Sequence, residues 1–266
     1  MPPEPPGKRD AIVAQRLGCF CSDQGLGAPA LSTEVVEAFV SVGLVGRASS
    51  TRGTYRSVLR ALGGLPRRVV APGFAGAPAA APYSRAERAE LLSVARSQRS
   101  AWRRDGALAM VALGIGAGLR AGELAAVTGL DVTVAPGAVT VRVAGAANGH
   151  GDRLVVVGRA YGQVISRLAT SAGAEHLFCP GPAQRSYRNF VNNFARTLDA
   201  APGAPRLSSG RCRSSFICDH LARGTGLAEL VHLAGLAQVE SLARYARHVP
   251  HAPQSKAALR ARWAAC

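Results

Sequence analysis

Residues 66–82 decide how this chain can fold. The run is rich in Pro, Ala and Gly, can neither hold a helix nor supply a strand ladder, and therefore behaves as a linker that cuts the chain in two. Ahead of it, residues 11–65 are helical in pattern. Val35, Val36, Phe39 and Val40 recur at helical spacing after Ser32-Thr33-Glu34, a helix start. A helix over 49–62 carries Arg52, Arg56 and Arg60 four apart along one face, with Tyr55, Val58, Leu59 and Leu62 available for packing. Such a row suits an ordinary solvated face as well as it suits an anion.

Behind the linker, Ser84-Arg85-Ala86-Glu87 before Leu91 and Leu92 predicts a helix opened by a capping box. Further helices are expected over about 103–116 and 121–128, the second stopping at Gly129. Between Asp131 and Gly158 the period changes. Three β-branched runs (132–134, 139–143 and 154–157) are separated by Pro-Gly and by Asn148-Gly149-His150-Gly151-Asp152, which predicts a small antiparallel sheet with a glycine-rich hairpin tip. Helices then follow at about 161–170, 185–199, 208–222, 227–233 and 240–247, with a tail helix near 256–263. The expected fold is mainly α with a small antiparallel β-sheet (α+β), and the expected domains are a helical unit over 8–65, the linker over 66–82 and a larger domain over 83–266.

With 48% hydrophobic and 18% charged residues, 266 residues can fill a real core. The longest weakly polar run, 106–119, holds four glycines and lies between Arg104 and Arg120, too short for a membrane span. The Pro-rich start lacks the apolar core of a secretory signal, so a cytoplasmic, nucleoid-associated protein is expected. Its six cysteines form no C-x-x-C pair, and His176 with Cys179 has no second pair to complete a metal site, so neither metal nor small-molecule cofactor is expected. Lys8 and Lys256 are the only lysines among the 32 cations, the other 30 being arginines, and the net charge is +16. That surplus fits a polyanion such as nucleic acid, although an Ala-, Gly- and Arg-heavy composition also arises from GC-rich coding.

Two segments carry chemistry. Gly118-Leu119-Arg120-Ala121-Gly122-Glu123-Leu124 opens a helix just before the sheet. Near the C-terminus, Arg213-Ser214-Ser215-Phe216 is followed by Asp219-His220-Leu221, by Leu233-Ala234-Gly235 and by Tyr245, ten residues after Gly235. In order and spacing these resemble the two arginine boxes and the tyrosine nucleophile of the tyrosine recombinases, the phage integrase family, over about residues 84–248. The resemblance implies a core-binding domain in the helical unit and a catalytic domain behind it. It also implies double-stranded DNA as partner, with Arg52, Arg56 and Arg60 as DNA contacts, and self-association on DNA. The site it implies is Arg120 and Arg213 clamping a phosphate while Tyr245 forms a 3′-phosphotyrosine, with no metal or other cofactor. Guanidinium forks suit that clamp, because they bind two nonbridging oxygens at once and offset the charge that grows on them.

Three positions depart from the family pattern. Asn148 stands where the family has the hairpin lysine that protonates the leaving oxygen, Gly210 stands where it has the histidine of H-x-x-R, and Leu236 where it has the histidine after the next glycine. His150, Arg211 and Glu123 are the neighbours that could assist. Two functions are therefore open: strand cleavage and rejoining at an attenuated rate, or a DNA-binding accessory protein that has lost turnover. The tail helix near 256–263, with Leu259 and Trp263 on one face, suits either its own domain or a neighbouring protomer.

Overall fold

A computed structural model of the chain describes residues 8–25, 31–66, 79–145, 151–181 and 189–249. It divides into two compact units, residues 1–78 and 79–266. The first is built from helices α1 (Lys8–Asp23), α2 (Thr33–Ala38) and α3 (Ser49–Leu62), with a π-helical turn, Phe39–Gly43, continuing α2. Ser32 caps α2 by accepting the Val35 N–H. Val13, Leu17, Val36, Phe39, Val40, Leu44, Tyr55 and Leu59 form its core.

In the second unit the described helices are α4 (Arg85–Arg96), α5 (Ala101–Gly116), α6 (Ala121–Ala126), α7 (Arg159–Ala172), α8 (Phe190–Arg196), α9 (Ser209–Arg223), α10 (Leu227–Leu233) and α11 (Ala243–Ala246). Strands β1 (Val132–Ala135), β2 (Ala138–Val143) and β3 (Arg153–Val156) form one antiparallel sheet in that order. The architecture is thus mainly α with a small antiparallel sheet. The capping box that opens α4 is present in both directions, Glu87 N–H to the Ser84 hydroxyl and Ser84 N–H to the Glu87 carboxylate.

Helix α5 is buried on every side from Gly106 to Gly116, which makes the weakly polar run of the sequence the central core helix. Its packing against α9 requires glycine: a Cβ on Gly114 would meet the Cβ of Cys212 at 2.6 Å. The sheet lays Val141, Val143, Val155 and Val157 against this core, while Leu154 and Val156 alternate outward. Its register pairs Val143 with Arg153, so β3 begins on a charged residue that points inward.

The structure departs from the sequence reading at three places. Residues 79–82, expected as linker, already belong to the second unit: Ala79 is buried, and the carbonyls of Ala81 and Pro82 accept from Arg211 at 3.0 and 3.4 Å. The helix expected over 240–247 is a 3-10 turn, Val239–Leu242, running into the single turn of α11. The arginine row of α3 faces protein: Arg56 and Arg60 both donate to the Glu37 carboxylate, at 2.6 and 2.8 Å, and Arg52 Nε donates to the Val40 carbonyl at 2.9 Å. These three side chains tie α3 to α2 and its continuation, because Glu37 sits on the packed side of the unit. The hairpin tip with Asn148 and His150, the start of the helix expected at 185–199 and the tail helix near 256–263 lie outside the described residues.

Candidate active site

The two arginine boxes meet at one place, the C-terminal end of α10. Arg120 is the N-cap residue of α6, and its backbone N–H donates to Glu123 at 2.8 Å, three residues on. Its Nη2 donates to the carbonyl of Gly235. Arg213, in the second turn of α9, is only 8% exposed; it donates from Nη1 to the Gly118 carbonyl at 2.6 Å and from Nη2 to the Ala234 carbonyl at 2.5 Å.

A third arginine completes the group. Arg153, the first residue of β3 and 4% exposed, donates from Nε to the Leu233 carbonyl at 3.0 Å and from Nη1 and Nη2 to the two oxygens of Glu123, at 2.9 and 2.8 Å. Three consecutive carbonyls, Leu233, Ala234 and Gly235, thus each accept from a different arginine. A helix C-terminus suits this: its last carbonyls lack intrahelical partners and carry the negative end of the helix dipole. The chain turns there through Gly235, whose φ of +56° is open to glycine and strained for other residues.

The electrostatics follow from this crowding. Burial first, and Arg120 second, pull the pKa of Arg213 from 12.5 to about 10, with Glu123 and Tyr245 acting the other way. Arg213 remains a cation at neutral pH. For Glu123, burial pushes the carboxyl upward, but the Arg153 fork and the Arg120 N–H outweigh it and hold the group below its ordinary 4.5. Arg120, Arg153 and Arg213 therefore share one carboxylate among the described residues, which leaves the cluster with excess positive charge.

Tyr245 lies within electrostatic reach of Arg213. It is 7% exposed on α11, and its carbonyl faces the Sγ of Cys218 on α9 at 4.0 Å. Arg120, Arg213 and Glu123 are thus brought together, with Tyr245 within electrostatic reach of Arg213. Arg211 is not part of the group: its guanidinium stacks 4.0 Å from the Tyr83 ring centroid and donates to the Ala81 carbonyl and, at 2.7 Å, to Glu87, so it anchors the entry to α4. Gly210 is exposed in the first turn of α9, with only Ser208 Oγ, 3.8 Å away, near the place of a Cβ. Leu236 is half-buried and packs on the core. Neither supplies a proton donor or acceptor side chain.

No protein-family model matches the sequence, and no curated protein matches it. Solved structures do. The Tn1549 transposon integrase in complex with transposon right end DNA superposes with a TM-score of 0.58 at 14% identity, covering 98% of this chain and 95% of that one. The XerH site-specific recombinase, in a post-cleavage complex with palindromic difH substrate, gives 0.57 at 16% identity over 86% and 69%. This chain has the tyrosine recombinase fold. Within that fold, the Tn1549 integrase in complex with circular intermediate DNA gives a TM-score of 0.57 at 15% identity.

Sequence reasoning missed Arg153. The signal was weak but present: an arginine opening a strand whose inward positions are otherwise apolar, in a chain with a carboxylate three residues after the first box arginine.

Proposed function

We propose that this chain is a DNA-binding tyrosine recombinase that cleaves and rejoins strands through Tyr245 at an attenuated rate. The observation that supports it is the surplus of guanidinium charge near Tyr245: half-buried Arg120 with buried Arg153 and Arg213, and Glu123 as the one carboxylate among them in the described residues. Buried cations without matching anions are costly, and a phosphodiester between Arg120 and Arg213 offsets the excess. In this reading the Tyr245 oxygen attacks the phosphorus, forming a 3′-phosphotyrosyl bond, and the 5′-oxygen leaves with a proton; the reverse attack by a 5′-hydroxyl rejoins the strand and releases the tyrosine.

The attenuation rests on Gly210 and Leu236, neither of which can accept or donate a proton, and on a sequence whose only lysines are Lys8 and Lys256. General acid–base groups contribute about 10²–10⁴-fold each. The helical unit is the proposed core-binding domain and residues 83–266 the catalytic domain, with self-association on DNA. The net charge of +16 supports duplex DNA as the partner.

A second reading, a binding protein without turnover, is favoured by Leu236, whose side chain packs on the core. The deciding experiment selects a bound duplex from a randomised pool, nicks it near the bound centre as a suicide substrate and looks for a covalent adduct on a denaturing gel. Adduct formed by the wild type and lost in Tyr245→Phe supports the enzyme. Binding without adduct supports the accessory protein.

A further inference from the structure

Arg153 has every nitrogen engaged inside the protein and is 4% exposed. At that exposure its guanidinium faces protein rather than a DNA phosphate. What it holds is Glu123, the one carboxylate beside the two box arginines among the described residues. Resting on the functional reading above, we propose that Arg153 is a positioning residue that occupies both oxygens of Glu123 and so keeps that carboxylate from neutralising Arg120 and Arg213, leaving their charge for a DNA phosphate.

The geometry is specific to this role. Glu123 Oε2 accepts the Arg120 backbone N–H at 2.8 Å, so the carboxylate is held at the foot of Arg120. Arg213 is close enough to Glu123 for the carboxylate to raise its pKa. A free carboxylate here would turn to one of these two guanidinium groups, because a forked arginine–carboxylate pair is among the strongest contacts a buried carboxylate can make. The fork from Arg153 prevents it.

Arg153 also fixes the carbonyls on which the other two arginines rest. Its Nε bond to Leu233 precedes the Ala234 carbonyl held by Arg213 and the Gly235 carbonyl held by Arg120. A Cβ on Gly235 would stand 2.7 Å from Arg153 Nη1, so the glycine of the turn after α10 leaves the space that the Arg153 fork fills. A purely structural role would hold β3 in place, and the charge of Glu123 would then be irrelevant to DNA.

The test is charge rescue. Affinity for a mixed-sequence duplex oligonucleotide at low salt is measured for the full-length wild type, Arg120→Ala, Arg153→Met and Arg153→Met/Glu123→Gln. Arg120→Ala and Arg153→Met are each expected to weaken binding about tenfold, the worth of one charge-assisted contact, and Glu123→Gln is expected to restore most of the Arg153→Met loss. Should Arg153→Met not fold, Arg153→Lys, which keeps the charge but cannot fork across both oxygens, carries the same comparison with and without Glu123→Gln. If Arg120→Ala leaves binding unchanged, the functional reading fails and the inference with it. If Arg120→Ala weakens binding but the Arg153 variant does not, or if Glu123→Gln fails to rescue it, the inference alone is overturned.

Discussion

A methyl group on Gly235 would stand 2.7 Å from the Nη1 of Arg153, on a backbone already at φ +56°. Gly235→Ala therefore combines left-handed strain with displacement of a buried guanidinium. A loss of about 1–2 kcal/mol is expected from the backbone alone, read as a lower denaturant midpoint for the full chain. An unchanged midpoint would mean that the turn relaxes and that Arg153 is not held as described.

Glu37 bridges Arg56 and Arg60, with all three side chains less than a quarter exposed. Glu37→Gln leaves two guanidinium groups facing a neutral amide at the joint between α2 and α3, and should cost about 2 kcal/mol. Hydrogen–deuterium exchange should speed up in α1, α2 and α3 while α5 stays protected. Unchanged exchange in α3 would return its arginine row to a solvated role.

Much of the fold is legible in the sequence because it is local. The spacing of Tyr55, Val58, Leu59 and Leu62 marks α3 at the bounds it adopts, Ser84 with Glu87 writes its own cap, and β-branched alternation marks the sheet. The site is legible only in part. Arg120, Arg213 and Tyr245 stand out by order, but the pairing of Arg153 with Glu123, thirty residues away, shows only as an arginine opening a strand of otherwise apolar inward positions. Separations of 19 and 23 residues likewise hide Glu37 from Arg56 and Arg60, so that a row engaged by protein looks like a solvated one. Arg211 sits two residues before a box arginine yet turns to Glu87, because positions two apart on a helix point about 200° apart.

The Glu123 carboxyl is held below its ordinary 4.5 despite burial, which acts upward, because Arg153 and the Arg120 N–H favour the charged form. A folded-state pKa below the unfolded one stabilises the protein above the unfolded value, and that stability is lost as pH falls through the folded value. The stability gap between wild type and Glu123→Gln should thus be widest near neutral pH and close on acidification below the ordinary carboxylate range. Urea midpoints followed down that range check it; a gap that widens with acid contradicts the sign.

Gly210 has open space around the position of a Cβ. Gly210→His should therefore fold and, together with Leu236→His, restore proton-transfer groups beside Arg213. An increase in adduct formation of about 10²-fold is expected on a suicide substrate. A folded double variant with no gain would place the rate limit elsewhere than in proton transfer.

In the proposed mechanism Arg120 and Arg213 present a phosphate to Tyr245, and the slow step is protonation of the leaving oxygen. This mechanism is tested most directly by comparing an ordinary duplex with one carrying a bridging 5′-phosphorothiolate at the scissile position, whose sulfur leaves without a proton. The prediction is covalent attachment through Tyr245 at least about 10²-fold faster on the phosphorothiolate, abolished in Tyr245→Phe. Equal rates on the two substrates, or no adduct on either although both are bound, would contradict it.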